Sequence, residues 1–194
     1  MNSLKNVPVF FICLLFTVLS FTSCKDDEIQ SNQLIVNGIL EQGSTSPDGW
    51  WSNSANPDNF NFIWTEDESF SGSKSVSIST QTADASAFAY WGQTITNNLP
   101  TGKSVTLSVR IKGELSGRGV TVALRGDDTV EIDGSAEQFA TTQGSMDISG
   151  TFDWKEYSIK LDNVDASTKS LTVYLIYLYD TSGEAYFDDV SLTY

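Results

Sequence analysis

The sequence contains no histidine, two cysteines and four prolines in 194 residues. Without histidine there is no imidazole triad, no imidazole metal ligand and no histidine proton shuttle. Two cysteines supply neither a zinc knuckle nor a disulfide framework. Bases are scarce: 11 Lys and Arg face 25 Asp and Glu, a net charge of −14. That field repels phosphate backbones and anionic headgroups, so nucleic acid is not expected as a partner. Long hydrophobic runs are confined to the first 23 residues. Aromatic residues are plentiful, with 5 Trp, 7 Tyr and 11 Phe. That load, within a chain that is 40% hydrophobic, suits one well-cored domain and not a disordered polymer.

Residues 1–23 have the make-up of an export signal. Lys5 gives a positive start, Val9 to Leu19 form an apolar run of 11 residues, and Thr22-Ser23 are small residues before Cys24. The run is shorter than the ~20 residues a permanent membrane helix needs, so cleavage is expected. Phe21-Thr22-Ser23-Cys24 resembles the bacterial lipobox, with Phe in place of the usual Leu. There the chain is cut before a cysteine that carries lipid. Lys25-Asp26-Asp27-Glu28 resembles the surface-export signal of lipoproteins in Bacteroidetes-type bacteria, and a solvated acidic linker would look the same. These resemblances imply a lipidated tether over 24–33, attachment to the outer membrane through lipid alone, and display at the cell surface. Cys13 departs with the signal, and loss of Lys5 takes the charge from −14 to −15.

From residue 34 onward apolar residues alternate with period two between Gly, Asn, Asp and Ser. Val76 and Ile78 share a face, as do Val105, Leu107, Val109 and Ile111; Val120, Val122 and Leu124; and Tyr157, Ile159 and Leu161. No window of similar length carries a helical stripe. About ten short strands without crossover helices predict an all-β fold, an antiparallel β-sandwich of jelly-roll form in a single domain over 34–194. Leu171 to Tyr179 is apolar on both faces, which fits a central strand beneath an aromatic groove and equally one beneath a covering loop.

Six segments, in order, resemble a known family: Asn37-Gly38-Ile39-Leu40-Glu41, Pro47-Asp48-Gly49-Trp50, Ser71-Gly72-Ser73-Lys74-Ser75-Val76, Trp91-Gly92-Gln93-Thr94-Ile95 with Val105-Thr106-Leu107-Ser108, Trp154-Lys155-Glu156-Tyr157, and Gly183 to Leu192. Together they resemble carbohydrate-binding modules of the family 4 and 9 type, jelly rolls of the galactose-binding-like group. The resemblance implies a structural calcium ion held by Glu41, Asp188 and backbone oxygens near the Ser-Gly turn, with Lys74 as the nearest match. Read from the residues alone, Gly38, Gly49 and Gly72 suit turns needing positive φ, and Trp50 can plug one end of a sandwich.

Sugar recognition needs flat apolar faces and planar polar groups. Strand parity points Tyr90, Arg110, Arg125 and Tyr174 away from the core, and Trp51 and Trp64 fall in or beside loops near one end. These six are the candidate ligand-binding residues. Asp127, Asp128, Glu131 and Asp133 supply enough carboxylates for glycoside hydrolysis, but their polar context reads as a turn, and no catalytic residue is assigned. The expected function is non-catalytic binding of polysaccharide or oligosaccharide, in the company of surface glycan-uptake proteins. The alternatives are an adhesive, protein-binding surface lipoprotein and a small polysaccharide-cleaving jelly roll. Cys24→Ala is expected to release the protein from the membrane fraction and to remove the lipid mass. A wild-type N-terminus found unmodified beyond residue 24 by mass spectrometry refutes the anchor.

Overall fold

The computed structural model describes residues 32–132, 134 and 136–194; the export signal, Cys24 and Asp133 lie outside them. Ten strands appear among the described residues, and the alternating segments 75–78, 105–111, 120–124, 157–161 and 171–177 each lie within one of them. The strands are β1 (Trp51–Ser54), β2 (Asn61–Thr65), β3 (Ser75–Thr80), β4 (Ala89–Ile95), β5 (Val105–Gly117), β6 (Val120–Asp127), β7 (Gln138–Thr141), β8 (Gly150–Leu161), β9 (Ser170–Tyr177) and β10 (Thr181–Thr193). The one helical element among the described residues is a 3-10 turn at Pro57–Asn59. Two antiparallel sheets result, ordered β1-β4-β9-β6-β7 and β2-β3-β10-β5-β8. Every connection except β2–β3 and β6–β7 passes from one sheet to the other. The all-β sandwich expectation therefore holds, in a jelly-roll-like form.

Because successive side chains of a strand point to opposite faces, each apolar alternation becomes one inner row. Val76 and Ile78 of β3, Leu107, Val109 and Ile111 of β5, and Phe187 and Leu192 of β10 form one wall of the core, all fully buried. Val122 and Leu124 of β6 and Leu171, Val173, Leu175 and Tyr177 of β9 form the other. Two large side chains also tie the layers by hydrogen bonds. The Trp91 indole N–H of β4 donates to the Ser77 carbonyl of β3 at 3.1 Å. The Tyr177 hydroxyl of β9 donates to the Gly183 carbonyl of β10 at 3.0 Å. Each aromatic body thus stays apolar while its polar tip is satisfied.

The chain enters beside its own end, with Gln33 bridged to Thr193 and the Leu34 amide bonded to the Leu192 carbonyl at 2.8 Å. A bulge between Asp188 and Ser191 bends β10 there, with Asp189 at φ 47°. Gly38 packs against this bulge: a Cβ on it would lie 2.0 Å from the Val190 carbonyl oxygen. Close approach is therefore what requires glycine at 38, and the positive φ values of that loop fall on Asn37 and Leu40 instead. Gly49 and Gly72 do have positive φ, as expected. Trp50 is buried, and its indole N–H donates to the Asn37 carbonyl at 3.2 Å.

Leu107→Ala, at a fully buried inner position, is expected to cost about 2–5 kcal/mol. Lys160→Ala, its neighbour's partner on the outer side, should stay within about 0.5 kcal/mol. Urea melts of the two variants check the parity assignment.

Candidate functional site

The register of the first sheet fixes what its outer face displays. One row runs Asn53, Tyr90, Ile176 and Thr121; the next runs Trp51, Gly92, Tyr174, Ala123 and Thr141; a third runs Thr94, Thr172, Arg125 and Phe139. The middle row carries a gap at Gly92, and the Trp51 indole fills it. A Cβ at Gly92 would sit 2.7 Å from Trp51 Cζ2, so any larger residue would lift the indole off the sheet. Lying there, Trp51 meets Tyr90 at 5.6 Å and Tyr174 at 6.0 Å between ring centroids, both edge-to-face. Tyr90 and Tyr174 meet at 5.3 Å, also edge-to-face, and Phe88 tilts against Tyr90 at 5.8 Å. Three mutually perpendicular pairs leave none of these rings free to turn without disturbing the others.

Next to this cluster is a concavity of 310 Å³, lined by Phe88, Tyr90, Phe139 and Tyr174, by Ile132 and Ile176, and by Arg125. Phe88 and Phe139 are 49% and 55% exposed, so the concavity has an apolar rim open to solvent. Arg125 is held from one side by Asp127: Nε donates to both carboxylate oxygens at 2.9 Å and Nη2 to Oδ1 at 2.6 Å. Nη2 also donates to the Gly134 carbonyl at 3.3 Å. The hydrogen bonds that Arg125 donates to Asp127 raise the guanidinium pKa further, and burial raises that of the Tyr174 phenol, partly offset by Arg125. Both groups therefore keep their protons at any physiological pH. The site offers fixed flat rings, two phenol hydroxyls and one planar donor.

Tyr90, Tyr174, Arg125 and Trp51 thus share one surface. Arg110 and Trp64 do not, and this corrects the expectation of a single patch. Parity did send Arg110 outward, but on β5 of the second sheet, where it pairs with Glu156 at 3.2 Å and covers the Phe70 ring at 4.5 Å. Trp64 belongs to β2, an edge strand of that same sheet, half-buried, with its indole N–H donating to the Leu40 carbonyl at 2.7 Å. Phe88, Phe139 and Ile132 were not singled out from the sequence. Phe88 shares the parity of Tyr90 two residues on, a signal that was present; β7 is too short to show any period around Phe139.

No family model and no curated protein matches the sequence. Solved structures do share the fold. A Stig cyclase from Fischerella sp. TAU, in complex with an indole compound, is 20% identical over 84% of this chain and 97% of its own, with a TM-score of 0.61. The family 61 carbohydrate-binding module TmCBM61, in complex with β-1,4-galactotriose, is 19% identical over 84% of this chain and 98% of its own, with a TM-score of 0.53. The enzymatically active domain of tailspike protein 4 of bacteriophage CBA120 is 16% identical with a TM-score of 0.61; 84% of this chain is covered, and it spans about a fifth (21%) of the tailspike chain. At these identities the likeness is one of fold.

Glu41 and Asp188 also converge, on the turn 70–74. Glu41 accepts from the Ser73 amide at 2.7 Å, the Lys74 amide at 2.8 Å and the Ser73 hydroxyl at 2.8 Å. Asp188, fully buried, accepts from the amides of Phe70, Ser71 and Asp189 at 2.7–2.9 Å. Gly72 leaves room for the clamp, since a Cβ there would lie 2.4 Å from Glu41 Oε1. The Lys74 ammonium turns away, to Glu66 at 2.9 Å and over the Trp64 ring at 3.9 Å. A calcium ion needs six to eight oxygens. The acids here are instead engaged by N–H and O–H donors, and no group of three or more His, Cys, Asp or Glu among the described residues is placed to hold a metal. As arranged, the donor set does not fit the ion that the family resemblance implied; the two acids act as clamps on the turn.

The clamps carry opposite pH signatures. The Ser73 amide, ahead of the other donors, holds Glu41 below the usual carboxylate range. Its contribution is present above the unfolded value and is lost as pH falls through the lowered folded value. Burial outweighs three amides at Asp188 and pushes its carboxyl up, so its ionisation costs stability and acidification relieves that cost. Between pH 6 and 3, Glu41→Gln is expected to lose less stability than wild type, and Asp188→Asn more. A chelator at neutral pH is expected to leave the wild-type Tm unchanged; a fall of several degrees in wild type but not in a Glu41→Ala, Asp188→Ala double variant would place a cation between the acids.

Proposed function

We propose that this protein binds a glycan at the aromatic face of its first sheet, without catalysis, as a lipid-anchored protein displayed at the cell surface. The observation that carries the reading is the Trp51–Tyr90–Tyr174 cluster, locked edge-to-face on solvent-facing positions beside an open concavity. Pyranose rings stack their C–H faces on such rings, and the phenols and Arg125 supply hydrogen bonds to hydroxyls. TmCBM61, of the same fold, was solved with β-1,4-galactotriose, which supports an oligosaccharide as the ligand class. Cleavage needs two carboxylates flanking the bond. The described residues that line the concavity include none, and for that reason the reading is one of binding.

The tether reading adds what binding would serve: a protein held to the outer membrane by lipid concentrates polysaccharide beside the proteins that take it up. Isothermal calorimetry against neutral galactan, xylan and glucan oligosaccharides tests the ligand class. Trp51→Ala and Tyr174→Ala are each expected to weaken binding by roughly tenfold or more, because truncating a central aromatic typically costs over 1.4 kcal/mol. Thermal melts recorded alongside should show both variants folded. Absence of binding across the panel, with capture of a protein partner abolished by the same substitutions, would favour the adhesive reading.

A further inference from the structure

Arg125 is the one cationic side chain lining the concavity among the described residues, and its surroundings decide what that charge does. Asp127 stands two residues further along β6, so it has the same outward parity, yet it is 1% exposed. The pair is closed by three hydrogen bonds of 2.6–2.9 Å, a fork in which both carboxylate oxygens are engaged. Beyond it the sequence of the β6–β7 connection adds Asp128, Glu131, Asp133 and Glu137 and no base. The Glu137 carboxylate accepts from the Asp128 amide at 3.1 Å, which keeps its charge near the pair, and it acts on Arg125 through space. A hydrophobic pair of similar volume would serve stability as well as this ion pair does. What the pair adds is a planar polar surface beside the rings with no net charge.

We propose that Asp127 is a specificity-determining residue: by cancelling the charge of Arg125 it adapts the cavity to uncharged sugar rings and turns away uronates. This rests on the glycan-binding reading and names the substrate class of that site. An unpaired arginine beside an aromatic platform would attract a C6 carboxylate. The paired one has no charge left to offer, and a carboxylate entering the cavity would also meet the field of the nearby acids. Selection is therefore made by the partner of the arginine, which does not itself line the cavity.

The test uses matched pairs that differ only at C6: β-1,4-galactotriose and cellohexaose, each alongside its C6-oxidised uronate form, titrated at low and at physiological salt. Wild type is expected to favour the neutral member by roughly tenfold or more, since like-charge juxtaposition in a binding site costs at least that. Asp127→Asn keeps the shape and removes the carboxylate that forks with Arg125, and is expected to erase most of that preference, most visibly at low salt. Glu137→Gln, at an exposed position, should shift the ratio in the same direction by roughly two- to threefold. This second variant decides the matter if Asp127→Asn does not fold. Equal binding of both members by wild type overturns the proposal, as does an unchanged ratio in folded Asp127→Asn or, failing that, in Glu137→Gln. If wild type binds neither member of any pair, the glycan reading itself fails and the selection falls with it.

Discussion

The constraint on which this molecule depends is the two-residue period of an extended chain. Once Leu171, Val173, Leu175 and Tyr177 are committed to the core, Tyr174 and Ile176 have only the other face to occupy. The same holds for Tyr90 beside Trp91 and for Arg125 beside Leu124. The outer platform is the complement of the inner wall. A one-residue slip of β4 against β9 would bury Tyr90 and expose Trp91, breaking the indole bond that ties the sheets together. Stability and site therefore share one register.

Parity explains both what was legible in the sequence and what was not. Tyr90, Tyr174 and Arg125 were assigned outward and are found together, because alternation states the face of a strand without knowledge of its neighbours. Arg110 was assigned outward just as correctly, but a sandwich has two outer faces. Which sheet receives β5 is settled by pairing with β8 and β10, long-range contacts that periodicity does not report. Trp64 shows a different limit, since its half-buried place follows from a hydrogen bond to Leu40, 24 residues away in the chain. Asp127 read as part of a polar turn because Asp128 and Glu131 follow it. It is the last residue of β6, and only the folded chain shows that Arg125 closes over it.

The terminal motifs teach a related lesson. Glu41 and Asp188 were paired through the first and last of the family-like motifs, and they do meet at one turn. Their chemistry was assigned by resemblance, and chemistry depends on angstrom-scale placement. A carboxylate that can reach three N–H or O–H donors of one turn is satisfied without a cation. The same two acid residues would bind a cation if the turn presented carbonyl oxygens instead. Motif order identifies a fold, and the direction of a few peptide groups decides what the motif holds.

The bridge between Gln33 and Thr193 has a topological consequence. Because residues 33 and 34 lie against the last strand, the described fold closes on itself, and a few linking residues would suffice to join its ends. Cut open instead at an exposed connection such as the one between β7 and β8, the strands would keep every neighbour they now have. The sandwich is in this sense circularly permutable, and its aromatic face can be presented at either end of a longer chain or from within one.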